Sequence, residues 1–119
     1  MKQSERVCFL SGLVIPPNCV SREHLYPRSL LPKYIYSLPQ NIVKIHKIIN
    51  EVKGHLRPCE WEERKYDLTL YAIKHYHIKN SEKQFLEKAL INWETYKINP
   101  CDFCIARKFE EYCVKGRER

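Results

Sequence analysis

Proline distribution constrains the fold of this chain of 119 residues more than any other sequence feature. Five of the seven prolines precede Pro58, namely Pro16, Pro17, Pro27, Pro32 and Pro39. Because proline removes a backbone donor and stops helices, the first half should consist of short strands and loops. The remaining half is largely free of proline and can form long helices. We therefore predict an α+β fold.

The segment between Pro39 and Pro58 predicts one strand followed by one helix. Residues 41–45 are β-branched and partly alternating, which favours a short strand. His46–Gly54 has apolar residues at helical spacing, and glycine is a typical helix stop.

The second half predicts three helices that cover the first half. Pro58 suits the first turn of one helix, and Ser81 with Gln84 forms a capping box for the next. A last helix should open at Pro100 and Asp102. The aromatic and apolar stripes on these helices are best interpreted as core packing. We expect a single domain over residues 1–119, with helices at about 58–115 burying the apolar back of a smaller element.

Charge and cysteine usage narrow the functional classes. Lys and Arg number 21 against 14 Asp and Glu, so the net charge of +7 favours a polyanionic partner. No stretch is long and apolar enough to predict a membrane span. The apolar run at residues 7–15 is followed by two prolines rather than a cleavage site, so we expect a cytoplasmic protein with reduced cysteines. A secreted disulfide protein is the remaining alternative for the six cysteines.

Four polar residues could form a hydrolytic site. The oxygens of Glu23 and Asn50 are hard ligands that suit Mg²⁺ or Mn²⁺. A neutral His24 could take a proton from an attacking water, and Asn41 could fix its imidazole or the local backbone. Successive strand residues point to opposite faces, so a turn or bulge is needed for Glu23 and His24 to share one site.

At these positions the sequence resembles the HNH endonuclease family, whose site is a ββα-metal motif. The resemblance lies in Glu23-His24, the Tyr26-Pro27-Arg28-Ser29 that follows, Asn41-Ile42-Val43, and Asn50 before x-x-Lys53-Gly54. It covers about residues 8–58. Asn50 stands where the family often has His, and Glu23 where it often has Asp.

The resemblance implies a DNA phosphodiesterase with His24 as general base, oriented by Asn41, and a metal held by Glu23 and Asn50. Basic residues in the same segment are candidates for contacting phosphates: Arg28, Lys44, Lys53 and Arg57. An enzyme with one site per chain that cut both strands would favour a homodimer.

A structural zinc site is a second expectation. Cys101 and Cys104 form a C-x-x-C pair, and Cys8 begins a knuckle-like run that ends in Ser11-Gly12. Cys8, Cys59, Cys101 and Cys104 could bind Zn²⁺, with Cys19, Cys113 or a histidine as substitutes. Buried free thiols and a redox pair are the alternatives. The alternative to an enzyme is a non-catalytic, zinc-stabilised nucleic-acid-binding module.

Overall fold

The computed structural model describes residues 6–26, 39–100 and 102, which form an α+β fold as predicted. Two antiparallel strands, β1 (Val20–His24) and β2 (Ile42–His46), form a two-stranded sheet. Three helices follow in these residues: α1 (Lys47–Lys53), α2 (Pro58–His75) and α3 (Asn80–Asn92). The first three elements therefore have the order β-β-α.

Local capping sets the boundaries of α1. Nδ1 of His46, the last residue of β2, accepts a hydrogen bond from the backbone N–H of Ile48 at 3.0 Å. At the other end Gly54 has a φ of 58°, and its N–H donates to the carbonyl of Asn50 at 3.0 Å. Glycine adopts this positive φ without the steric cost of a side chain. The predicted helix over His46–Gly54 is confirmed, with its first and last residues as caps.

Acidic residues in the first turn begin α2 and α3. Oε1 of Glu60 accepts from the N–H of Arg57, and Oε1 of Glu82 accepts from the N–H of Lys79, both at 2.9 Å. Pro58 opens α2 as predicted. The capping box predicted at Ser81 and Gln84 is wrong, because Glu82 caps the helix from a start at Asn80.

The hydrophobic core lies between the sheet and the three helices. Buried residues of β2 and α1 meet large side chains of α2 and α3, and the rings of Trp61 and Trp93 pack edge to face with centroids 5.8 Å apart. Burial of each large apolar side chain contributes roughly 1.5–3 kcal/mol. The predicted core stripe is confirmed at Phe85, Ala89 and Trp93, which are all buried.

A turn at residues 8–12 ties α3 to the sheet. Three side chains at and beyond the end of α3 donate to consecutive carbonyls at 2.7 Å: Tyr96 to Phe9, Trp93 to Leu10 and Asn92 to Ser11. The N–H of Phe9 in turn donates to the carbonyl of Lys44 in β2 at 2.9 Å. The helices after Pro58 therefore hold β2 in place through this turn.

Other predictions fall outside this part of the chain. The described segments contain no helix with the length and apolar character needed to cross a bilayer. The last predicted helix, from residue 103 onward, lies outside the described residues, as do Arg28, Cys101 and Cys104.

Candidate functional site

The strand register gives the sheet two chemically different faces. Glu23 pairs with Val43 and His24 with Ile42, in a regular ladder that runs through all five residues of each strand. Since side chains alternate along a strand, Ser21 and Glu23 share one face, here called the inner face. Arg22 and His24 share the opposite, outer face. Helix α1 lies against the inner face, where Asn50 and Lys53 contact β1.

A buried ammonium holds the carboxylate of the inner face. Nζ of Lys53 lies 3.2 Å from Oε2 of Glu23 and donates to the carbonyl of Leu25 at 3.2 Å. The backbone N–H of His24 donates to Oε1 of Glu23 at 3.1 Å. Lys53 is 1% exposed, and this burial lowers the pKa of its ammonium, although the charge of Glu23 opposes the shift. The carboxylate therefore has a fixed position.

The Asn50 amide meets this carboxylate. The amide atom that faces Glu23 lies 3.2 and 3.1 Å from the two carboxylate oxygens, and the other amide atom lies 3.0 Å from Oγ of Ser21. With nitrogen toward Glu23, the amide donates to the carboxylate. With oxygen toward Glu23, Nδ2 donates to Ser21, but the amide oxygen faces only the carboxylate oxygens, so the first orientation is the one that satisfies both amide atoms within the protein.

The second amide orientation fits a divalent ion. Octahedral Mg²⁺ binds oxygen at about 2.0–2.1 Å, so neighbouring ligand oxygens lie about 3 Å apart. The spacing between Asn50 and Glu23 matches that value. Two protein ligands leave the remaining positions for water and phosphate oxygens. Glu23 and Asn50 therefore fit the metal expected from the sequence only when the Asn50 oxygen turns toward the carboxylate, beside the Lys53 ammonium that contacts Glu23.

Asn41 fixes the chain immediately after β1. It is fully buried; its Oδ1 accepts from the N–H of Tyr26 at 3.0 Å, and its Nδ2 donates to the Tyr26 carbonyl at 3.3 Å. The N–H of Leu25 donates to the Asn41 carbonyl at 2.9 Å. Of the two roles that the sequence left open, these contacts support the one in which Asn41 holds the backbone.

His24 lies on the other face. The bulge that would turn it toward Glu23 is absent from the ladder between β1 and β2, so alternation directs its side chain to the outer face. His24 is also the last residue of β1, next to the turn that Asn41 fixes. The structure thus brings Glu23 and Asn50 together on the inner face and leaves His24 on the outer face.

The basic residues divide into buried and exposed sets. The structure corrects the prediction for Lys53, because its ammonium is enclosed and donates to Glu23 and Leu25 instead of facing phosphate. Lys44 is exposed, and Arg57 lies 3.7 Å from the Glu60 carboxylate. Sequence reasoning missed Arg22, which pairs directly with Lys44. Only the strand register shows that Arg22 lies opposite Lys44, and the composition of the chain does not reveal that register.

Within residues 6–26, 39–100 and 102, Cys8 and Cys19 are free thiols. Cys8 and Cys59 are buried, and Cys19 is half-buried. Across residues 6–26, 39–100 and 102, no group of three or more His, Cys, Asp or Glu side chains could hold a metal. The four-cysteine zinc site also requires Cys101 and Cys104, so it stays a prediction.

Comparison with protein-family models, curated proteins and solved structures gives no match. Only the geometry of the two faces therefore bears on function. The inner face holds the Glu23 carboxylate against the Asn50 amide, and the outer face has exposed cations on the same strands as a histidine.

Proposed function

We propose that this protein is a metal-dependent endonuclease of the HNH type that hydrolyses phosphodiester bonds in DNA. The observation that carries the proposal is the meeting of the Glu23 carboxylate and the Asn50 amide at 3.1–3.2 Å, between β1 and α1. The β-β-α order of the elements and the resemblance around both residues support it.

Each residue has a specific role in this proposal. Glu23 and Asn50 would hold Mg²⁺ or Mn²⁺, which supplies positive charge to stabilise the phosphate and the leaving oxygen. Lys53 keeps the carboxylate in position through its 3.2 Å contact. Asn41 fixes the turn that follows His24. His24 takes the proton from the attacking water.

The position of His24 determines how substrate would have to approach. Glu23 and His24 lie on opposite faces but at the same end of the sheet, where β1 stops. A phosphodiester at this end of the hairpin can lie near both faces. Attack would then occur at the strand end, with the oxygen ligands on one side of the phosphate and the imidazole on the other.

The alternative is a nucleic-acid-binding module without hydrolysis. The regular register favours it, because a binding protein has no need for His24 and Glu23 to share a face. Both functions predict binding to DNA, and only the first predicts cleavage.

A plasmid-nicking assay separates the two functions. Supercoiled plasmid is incubated with Mg²⁺ or Mn²⁺ at several salt concentrations, using the wild type, His24→Ala, Glu23→Gln and Asn50→Ala. Wild type should nick the plasmid, and each variant should be slower by at least about 100-fold, the usual effect of removing general base catalysis or charge stabilisation.

Two exposed residues away from the site provide matched controls. His77→Ala removes an exposed histidine, and Glu87→Gln removes an exposed carboxylate for comparison with Glu23→Gln. Both controls should nick like the wild type. Intact plasmid under every condition, or equal rates for wild type and His24→Ala, would contradict the proposed enzyme.

A further inference from the structure

We infer that Arg22 and Lys44, on the outer face of the hairpin, form a clamp for a single DNA phosphate next to the bond that is hydrolysed. The inference extends the proposed function by naming a substrate contact outside the metal site. The phosphate contact rests on DNA as the proposed partner, and only its place next to the hydrolysed bond rests on catalysis.

The register brings two like charges together. Arg22 lies directly opposite Lys44 in the antiparallel ladder, and both are exposed. Residues directly opposite each other have Cβ atoms about 4.5–5.5 Å apart, and like charges in this arrangement are destabilising. A guanidinium and an ammonium on neighbouring stems can both donate to the oxygens of one phosphate.

Neither charge is compensated within the described segments. The ion pairs there join Lys53 to Glu23, Arg57 to Glu60 and Lys65 to Glu62, and none includes Arg22 or Lys44. The inner face shows that this fold can pair a lysine with a carboxylate where structure requires it. An unpaired cation pair on the outer face is instead suited to an external anion.

The position of the clamp also fits the proposed reaction. His24 follows two residues after Arg22 on the same face, and its cross-strand partner Ile42 lies two residues before Lys44. The Arg22–Lys44 pair is therefore two register positions from the proposed base, on the same face of the sheet. A DNA strand held by the clamp would continue toward His24 and the end of β1.

Metal-free binding to DNA tests the clamp without cleavage. Fluorescence anisotropy with a labelled duplex of random sequence, in EDTA, gives the dissociation constant at several NaCl concentrations. Arg22→Gln, Lys44→Gln and the double variant are compared with Lys74→Gln/Lys97→Gln, which removes the same charge from two other exposed positions.

Contact with one shared phosphate has a distinctive result. The double variant should reduce the magnitude of the slope of log affinity against log salt by about 0.9, the value for one phosphate. Each single variant should reduce it by less than half of that value, because the remaining cation still contacts the same phosphate. The control pair should change the slope by less than half as much as the double variant.

Three results would overturn the clamp. The first is an unchanged salt slope in the double variant, and the second is an equal decrease of the slope in the control pair. The third is a decrease of about 1.8 in the double variant, which indicates two separate phosphates. The melting temperature gives an independent check: removing the like-charge contact should leave it unchanged or raise it, and a decrease would contradict the repulsion. Failure of plasmid nicking with this binding result intact would reject the enzyme and keep the clamp.

Discussion

The inner face of the hairpin holds a carboxylate and an ammonium in contact, whereas the outer face holds two cations side by side. Both faces belong to the same five-residue strands. On the inner face, α1 excludes water, and an unpaired charge there would be costly. On the outer face, solvent screens the repulsion between Arg22 and Lys44. The comparison shows that a lysine packed against the inner face is buried and paired, whereas a lysine on the outer face stays exposed.

The largest effect should come from breaking the inner pair. Lys53→Met keeps the apolar stem but leaves the Glu23 carboxylate without its cation, and should lower the free energy of unfolding by about 3 kcal/mol. Lys44→Met, the matched change on the outer face, should stay within about 0.5 kcal/mol of wild type. Denaturant titration measures both.

A double variant sharpens this first prediction. Glu23→Gln together with Lys53→Met removes both charges and should recover more than half of the lost stability. Equal losses of unfolding free energy for Lys53→Met and Lys44→Met would show that the buried lysine contributes no more to stability than the exposed one.

The next effect concerns the end of the sheet, where the two faces meet. Asn41→Ala leaves the buried N–H and carbonyl of Tyr26 without the Asn41 side chain and should cost about 2 kcal/mol. Plasmid nicking should fall as well, because the turn after His24 loses its support. Asn18→Ala, at an exposed position, is the control and should change neither quantity. A wild-type free energy of unfolding for Asn41→Ala would show that these contacts contribute nothing.

A smaller, pH-dependent effect should come from His46, which lies at the buried end of the outer face. Burial lowers the pKa of His46 below 6.5, and its Nδ1 caps α1 in the unprotonated form. As the pH falls through 6.5, the unfolded chain gains a proton that the folded His46 resists, so stability decreases with acidification.

The His46→Asn variant isolates this effect, because asparagine can cap a helix but does not titrate. Between pH 7.5 and 5.5, wild type should lose more stability than this variant, because only wild type has a histidine whose pKa is lowered by folding. His77→Asn, at an exposed histidine, should behave like the wild type. Identical pH profiles of stability for wild type and His46→Asn would show that His46 does not cause the loss of stability at low pH.

The smallest effect should come from Ser21, which supports the Asn50 amide on the inner face. Ser21→Ala removes one half-buried hydrogen bond at 3.0 Å and should cost about 0.5–1 kcal/mol. If Nδ2 donates to Ser21 in the metal-bound form, the Mg²⁺ concentration for half-maximal nicking should also rise. Ser81→Ala, at an exposed serine, should leave both values unchanged.

Local signals explain which parts of the fold could be predicted. Gly54 and Pro58 mark where α1 ends and α2 begins, because a positive φ and a missing N–H act within a few residues of their own position. The start of α3 was missed for a similarly local reason. Both Ser81 and Glu82 are plausible capping residues, and only the folded backbone shows that Glu82 makes the contact.

The sequence by itself determined the α+β class, the β2–α1 unit and the residue types of the candidate site. Tertiary structure decided which lysine is buried and which is exposed, and it paired Arg22 with Lys44. It also joined Glu23 to Asn50, which are separated by 26 intervening residues. The physical reason is that caps and turns are short-range, whereas face and partner depend on the register between strands distant in sequence.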